Sequence, residues 1–256
     1  MRNAVWVLVT VVLLLGLPFV GLANHNNAEE SGPGFGFGGL LIGLFTIELG
    51  SESEADTVNG ILAANGYAPL PDQMITFGGG GGGGVIGGFS FGGSGWGGSF
   101  TSIREGKKAE LSLGFGGMDI AYVVGGNERS LLLIGAVLGG GGLDLTLRDR
   151  IPVSFEDAVA DPTTVTLSQG FFAAEPYVCF QVQPLSWLGF EAHLGYLFTL
   201  PGNWEEGGQE IAGPSLRLSG PFVGLSIAFG GIEVTDDDVE EGTEDTSEEV
   251  PEDTAG

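Results

Sequence analysis

Residues Trp187 to Trp204 read WLGFEAHLGYLFTLPGNW. From Phe190 the even positions are apolar throughout: Phe190, Ala192, Leu194, Tyr196, Phe198 and Leu200. The odd positions Glu191, His193, Gly195 and Thr199 are polar or small, and Leu197 alone breaks the rule. A period of two is that of a strand with one greasy and one wet face. The thirteen residue steps from Trp187 to Leu200, at about 3.3 Å each and tilted by about 40°, rise roughly 33 Å. That slightly exceeds the apolar band of a membrane barrel. Trp187 and Trp204 stand at the two ends, where interfacial aromatics of such a barrel belong.

Working outward, the same alternation recurs. Strand candidates are Leu40 to Leu49, Lys108 to Phe115, Met118 to Val124, Leu131 to Leu138, Leu143 to Leu147, Val165 to Gln183 and Ser215 to Ile232. Gly116 and Gly117 sit where the apolar phase of one strand reverses, which predicts a bulge. Pro176 and the Gly220–Pro221 pair predict bends or bulges. No helix-sized crossover separates the later strands, so the order reads as an antiparallel meander. Ser51 to Asn65 is the exception, with Glu54 three residues after Ser51 and Val58, Ile61 and Leu62 at helical spacing. It predicts a short helix near residues 51–65, ended by Gly66. A smaller helix is expected at Phe155 to Ala160. The fold class is therefore all-β: an antiparallel meander closed into a barrel of about 8–10 long strands.

Four segments follow from composition. Residues 1–23 carry a short basic start, an apolar core from Ala4 to Leu17 and small residues before a cleavage point after Ala23. They read as a secretory signal peptide; an uncleaved membrane helix is the alternative. Residues 24–33 form a polar leader, 34–232 the Gly-rich barrel, and 233–256 an acidic tail expected to be disordered. Past Ala23 no apolar run is long enough for a helical span. Small inward residues ease crowding in a narrow barrel, which accounts for much of the chain's 49 glycines. The seven consecutive glycines Gly78 to Gly84 read instead as a flexible loop or a slippery strand edge.

With 8 Lys and Arg against 33 Asp and Glu, the chain is too acidic for nucleic acid. Small cations and basic ligands fit its charge, and membrane lipid fits its strands. The single cysteine, Cys179, excludes intrachain disulfides and reads as a buried thiol. Gly34 to Gly39 has the spacing of a dinucleotide fingerprint but lacks the strand before it and the helix after it. His25 and His193 are the only histidines, and neither has the partners of a metal site or a triad. Asp236 to Asp238 lack the spacing of a calcium loop. No catalytic, cofactor or metal residues are assigned, and no enzyme activity is expected. If apolar faces point to lipid, Glu110, Asp144, Arg148, Glu191, His193 and Arg217 line the lumen.

The signal peptide, the long alternating strands and Gly-aromatic runs such as Phe89 to Gly93 and Phe229 to Gly231 resemble bacterial glycine-rich outer-membrane β-barrel proteins. The resemblance is one of general style across roughly Gly34 to Ile232. It implies an outer-membrane location and a structural, adhesive or small-solute passage role. Such barrels usually end on an aromatic strand residue, whereas here Phe229 precedes the acidic tail. The competing reading is a secreted or periplasmic Gly-rich β protein acting as a binding or structural module of the envelope.

Overall fold

The computed structural model describes residues 33–127, 129–160, 164–214, 216 and 218–233. The signal peptide, nearly all of the leader and tail, and Arg217 lie outside the described residues. Nine strands follow in order: β1 (Gly34–Thr46), β2 (Gln73–Val85), β3 (Phe89–Arg104), β4 (Lys107–Asn127), β5 (Ser130–Arg148), β6 (Thr164–Leu185), β7 (Leu188–Glu206), β8 (Gln209–Ile211) and β9 (Gly220–Ile232). Two short helices interrupt them, α1 (Val58–Ala64) between β1 and β2 and α2 (Phe155–Ala160) between β5 and β6.

Strands β1 to β7 pair antiparallel with their chain neighbours, and β9 pairs with both β7 and β1. The result is a closed ring of eight strands, an all-β meander barrel as the alternation predicts. Strand β8 pairs only with the far end of β7, outside the ring. Following paired residues once around, Glu191 leads through Ser226, Leu41, Gly78, Trp96, Phe115, Gly141 and Phe171 to Pro201. That is ten residues farther along β7, so the strands are strongly tilted and the bore is one that side chains fill. One end carries the start of β1, the end of β9, the tight turns 86–88 and 186–187 and the β4–β5 connection. The opposite end carries the long connections 47–72, 149–163 and 207–219.

The outer wall changes character with height. Towards the short-turn end its side chains are apolar: Leu40, Ile42, Phe77, Phe91, Met118, Ile134, Leu138, Phe172, Val178, Phe198, Leu225 and Ile227 are all exposed. On β6 this face runs from Phe172 to Val182, ten residue steps that at about 3.3 Å and about 40° of tilt span roughly 25 Å. Towards the loop end the pattern inverts. Ala109, Leu111, Leu113, Leu143 and Leu145 point inward and are buried, while the positions between them are polar and face out. The buried set joins Phe45, Ile47, Leu49, Val58, Leu62, Tyr67 and Leu70, so the β1–β2 connection caps the barrel with a hydrophobic core.

This inversion explains the apparent phase reversal at Gly116–Gly117. The pairing of β4 with β5 runs through both glycines without a shift, and the one irregularity lies between Val123 and Gly125. Odd residues of β4 face inward along the strand, Phe115, Ala121 and Val123 included; from Met118 the outer face becomes apolar as well. The heptaglycine run is neither loop nor edge. Gly78 to Gly84 form the middle of β2, paired with β1 on one side and β3 on the other. A Cβ on Gly79, Gly82 or Gly84 would collide with the backbone of the adjoining strand, so this close approach demands glycine. The first helix starts later than the Ser51 signal because Thr57 takes the N-cap, its hydroxyl accepting from the Gly60 N–H at 3.2 Å. Glu54 closes the preceding turn on the Ser51 N–H at 3.0 Å.

Candidate functional site

Around mid-barrel the interior holds an aromatic layer and, beside it, a polar cluster. Trp96 of β3 stacks on Phe222 of β9, with ring centroids 4.9 Å apart and planes 9° from parallel. Phe45 and Phe115 approach the same indole at 5.1 and 5.7 Å. The indole N–H of Trp96 donates to Glu175 Oε2 at 3.0 Å. Glu175, only 1% exposed, meets His193 Nε2 through its other oxygen at 2.9 Å. His193 stacks on Tyr177 at 4.4 Å, and the Tyr177 hydroxyl donates to Asp119 Oδ1 at 2.6 Å. Glu191 stands opposite Ser226 on β9.

Each of these groups reaches the interior because of strand parity. On β6 the odd residues Glu175, Tyr177, Cys179, Gln181 and Gln183 are buried inside, and the even ones from Phe172 to Val182 face out. On β7 the inner set includes Glu191, His193 and Leu197, the last wholly buried. Leu197, the exception to the alternation, packs in the interior like the apolar residues of the loop half. Glycine supplies space. A Cβ on Gly195 would lie 2.6 Å from Glu175 Oε1, and one on Gly43 would lie 2.7 Å from Thr76 Oγ1 and against the Phe222 ring.

A cavity of about 120 Å³ adjoins this cluster. Asp119, Glu175, Tyr177, Gln181, Glu191 and His193 line it together with glycines of β1, β2 and β3 and the apolar Phe35, Phe37, Leu41, Leu133, Val137 and Phe222. At about 30 Å³ per water it has room for about four, far below the roughly 300 Å³ where drug-sized ligand pockets begin. The cluster can hold charge and protons, but no organic substrate of ordinary size fits beside it. Among the described residues no set of three His, Cys, Asp or Glu side chains converges to ligate a metal directly.

The six residues expected to line the lumen do not share one place. Glu191 and His193 are on the inner face beside the cavity. Glu110, Asp144 and Arg148 are on the outer face of the loop-side wall, which corrects their assignment to the lumen. Glu110 pairs with Lys108 at 2.6 Å, Asp144 accepts from Ser168 at 2.6 Å, and Arg148 donates to Thr164 at 3.0 Å. The physical reason is that leucines occupy the inner positions at this height, and charged side chains stay in water outside. Arg217 lies outside the described residues. Trp187, 56% exposed, stacks on Phe229 at the short-turn end. Trp204 is no surface aromatic: it is 4% exposed, with its N–H on the Pro214 carbonyl at 2.9 Å, and anchors the β7–β9 connection. Trp96, Asp119, Glu175, Tyr177 and Gln181 were not singled out from the sequence. For the three on β6, the alternation from Ala174 to Gln183 carried the signal; for Trp96, flanking glycines erased it.

At the loop end the cap is tied down by polar contacts. The Tyr67 hydroxyl donates to Asp149 Oδ1 at 2.7 Å, and Lys107 Nζ reaches the same oxygen at 3.1 Å. Lys107 also donates to the Asn65 carbonyl and lies 5.0 Å from the centre of the Tyr67 ring. Burial, and then the hydrogen bond to Asp149, push the Tyr67 phenol up to about 12. The Tyr67 hydroxyl and then Lys107 hold the Asp149 carboxyl below its ordinary value. Asn59, buried in α1, donates to the Gly50 and Leu70 carbonyls and accepts from the Leu70 N–H, fixing the cap internally.

No protein-family model matches the chain, and no curated protein is significantly similar to it. The solved structures similar in shape include two of Ail, the attachment invasion locus protein of Yersinia pestis, one of them in complex with the heparin analogue sucrose octasulfate. They share 11% and 10% identity with this chain and cover 78% of it and 99% of their own length. Both have a TM-score of 0.44.

Proposed function

We propose that this chain is a non-enzymatic outer-membrane β-barrel whose role is structural or adhesive, exported by residues 1–23 as a signal peptide. The observation that carries the reading is the band of exposed apolar side chains around the short-turn half of the wall. On a protein in water so large an apolar surface is a liability, whereas on a barrel in lipid it is the membrane face. The height of the band, roughly 25 Å on β6, matches the apolar band of outer-membrane-type barrels. In that orientation the tight turns face the periplasm and the capped loop end faces outward.

Passage of small solutes is the weaker part of the expectation. The Trp96, Phe45, Phe115 and Phe222 rings occupy the bore, and the β1–β2 connection covers its loop end. An eight-stranded ring leaves little more than the space its side chains fill. What remains is a rigid wall that raises loops of acidic character above the membrane.

Cell fractionation tests the location. The protein is expected in the detergent-extracted outer membrane, and recovery in the soluble envelope fraction would favour the secreted alternative. Planar bilayers test the closed bore: purified protein is expected to be silent, and sustained currents would restore the passage role.

A further inference from the structure

We propose that the β5–β6 connection docks this barrel onto an apposed phospholipid bilayer with zwitterionic headgroups. Val153, Phe155 and Val159, which lie in that connection, are 91%, 80% and 65% exposed. They are not part of the apolar band. The connection leaves β5 at Arg148, ten residue steps beyond Leu138, which at about 3.3 Å each and about 40° of tilt is roughly 25 Å. The Ile151 N–H donates to the Gly106 carbonyl at 3.0 Å and holds the connection at the top of the wall. The membrane that surrounds the band therefore does not cover these side chains, and an apolar cluster left in water marks a contact surface.

The shape of the cluster favours lipid. Arg150 and the Val153 N–H both bond the Asp157 carboxylate, and the Asp157 N–H bonds the Ser154 hydroxyl. These bonds fix the segment from within, so little ordering is left to be lost on docking. Phe155 and Val159, four residues apart, share one face of α2. Such side chains project from a tip instead of lining a groove. A bilayer takes them up without a complementary pocket.

Charge selects the headgroup. Five of the chain's eight Lys and Arg stand beside this tip: Arg104, Lys107, Lys108, Arg148 and Arg150. Four of them hold carboxylates, on Glu52, Asp149, Glu110 and Asp157. Arg148 holds none. Its Nε donates to Thr164, and its terminal nitrogens have no partner among the described residues. Lys108 lies directly opposite it on β4, and like charges so placed destabilise a sheet. A phosphate oxygen relieves that repulsion and suits the guanidinium fork. Elsewhere the loop end carries Glu48, Asp56, Asp72, Glu205, Glu206 and Glu210, which repel a bilayer of net negative charge. A phosphatidylcholine surface offers the phosphate without that penalty.

The proposal rests on the membrane reading of the barrel, and its test keeps the two apart. The purified protein is placed in small bilayer discs and mixed with sucrose-loaded phosphatidylcholine vesicles, which are then sedimented, with empty discs as the blank. Co-sedimentation is expected. Val153→Ser with Phe155→Ser should weaken it at least about tenfold, and Arg148→Gln roughly threefold. Phosphatidylserine in the vesicles should weaken it at low salt, and added salt should restore it. Heat-dependent gel migration reports whether each variant closes its barrel; if the double variant does not, Phe155→Ser alone serves, with the same direction of effect. Discs that carry the barrel but ignore vesicles overturn this proposal alone, as does undiminished binding by the serine variants. Binding that strengthens with phosphatidylserine overturns the choice of headgroup and with it the proposal. Failure to enter discs overturns the membrane reading, and this proposal falls with it.

Discussion

At the scale of single residues, this barrel is governed by where a Cβ can stand. Gly195 faces the Glu175–His193 pair, and an added methyl would sit 2.6 Å from Glu175 Oε1 and 3.1 Å from its Cγ. Gly195→Ala is therefore expected to destabilise by about 1–3 kcal/mol, the usual penalty of overpacking, through displacement of that pair. Gly114, with nothing within 4 Å of its Cβ position, is the control and should accept Ala with little change. Urea unfolding of the two variants in detergent, read by Trp96 fluorescence, separates them; equal midpoints would mean that the Glu175 side chain has another place to go. A related case is His193, whose inward direction follows from alternation alone. Alternation does not reveal that it bonds Glu175 and packs its ring against Tyr177 and Phe222.

At the scale of elements, β5 carries both regimes on one outer face. Leu138 lies in the apolar band and Thr146 above it, both on the outer side of the same strand. In lipid, Leu138→Arg is expected to cost about 2–4 kcal/mol, while Thr146→Arg stays near neutral. Folding into vesicles of defined acyl length measures both, and similar losses would mean that the band does not end where the leucines turn inward. The α1 cap supplies a pH-dependent element. Asp149 is held below its ordinary value in the folded state, so its contribution is present above about pH 4, the unfolded carboxyl range, and is lost as pH falls through the folded value. Tyr67 is raised to about 12, so its contribution is complete below about pH 10 and disappears as pH rises through 12. Hydrogen exchange over residues 47–72 should therefore quicken at both extremes. In Tyr67→Phe the alkaline acceleration should vanish; its persistence would assign that opening to another group.

At the scale of the whole molecule, ring closure and filling of the bore decide behaviour together. Ten residues of offset around eight strands set a narrow, tilted barrel, and the Trp96–Phe222 stack lies across it. Truncating both rings, as Trp96→Ala with Phe222→Ala, is expected to turn a silent protein into one that passes small ions. The acids beside the opened bore, Asp119, Glu175 and Glu191, should then favour cations over anions. Anion-selective currents would mean that the path runs elsewhere than past this cluster, and continued silence would mean that the loop-end cap closes the bore unaided.

Alternation in the sequence determined strands, turns and antiparallel order, because a period of two survives wherever the two faces of a strand meet different surroundings. It determined the inner face of β7 and of the band half of β6, where polar residues stand opposite uninterrupted apolar ones. It did not determine β2 and β3 as strands, since the glycines of Gly78 to Gly84 and Gly92 to Gly98 carry no side chains to alternate. Nor did it reveal which way Glu110, Asp144 and Arg148 point. A pattern of two faces records that their environments differ, not which one is wet. Only closure of the ring decided that: it made a dry interior behind the leucines of the loop half, a polar cavity lower down, and an apolar band outside it. The same closure brought Trp96, Asp119, Glu175 and His193 together from four different strands, a proximity created by ten residues of stagger that no local stretch of chain encodes.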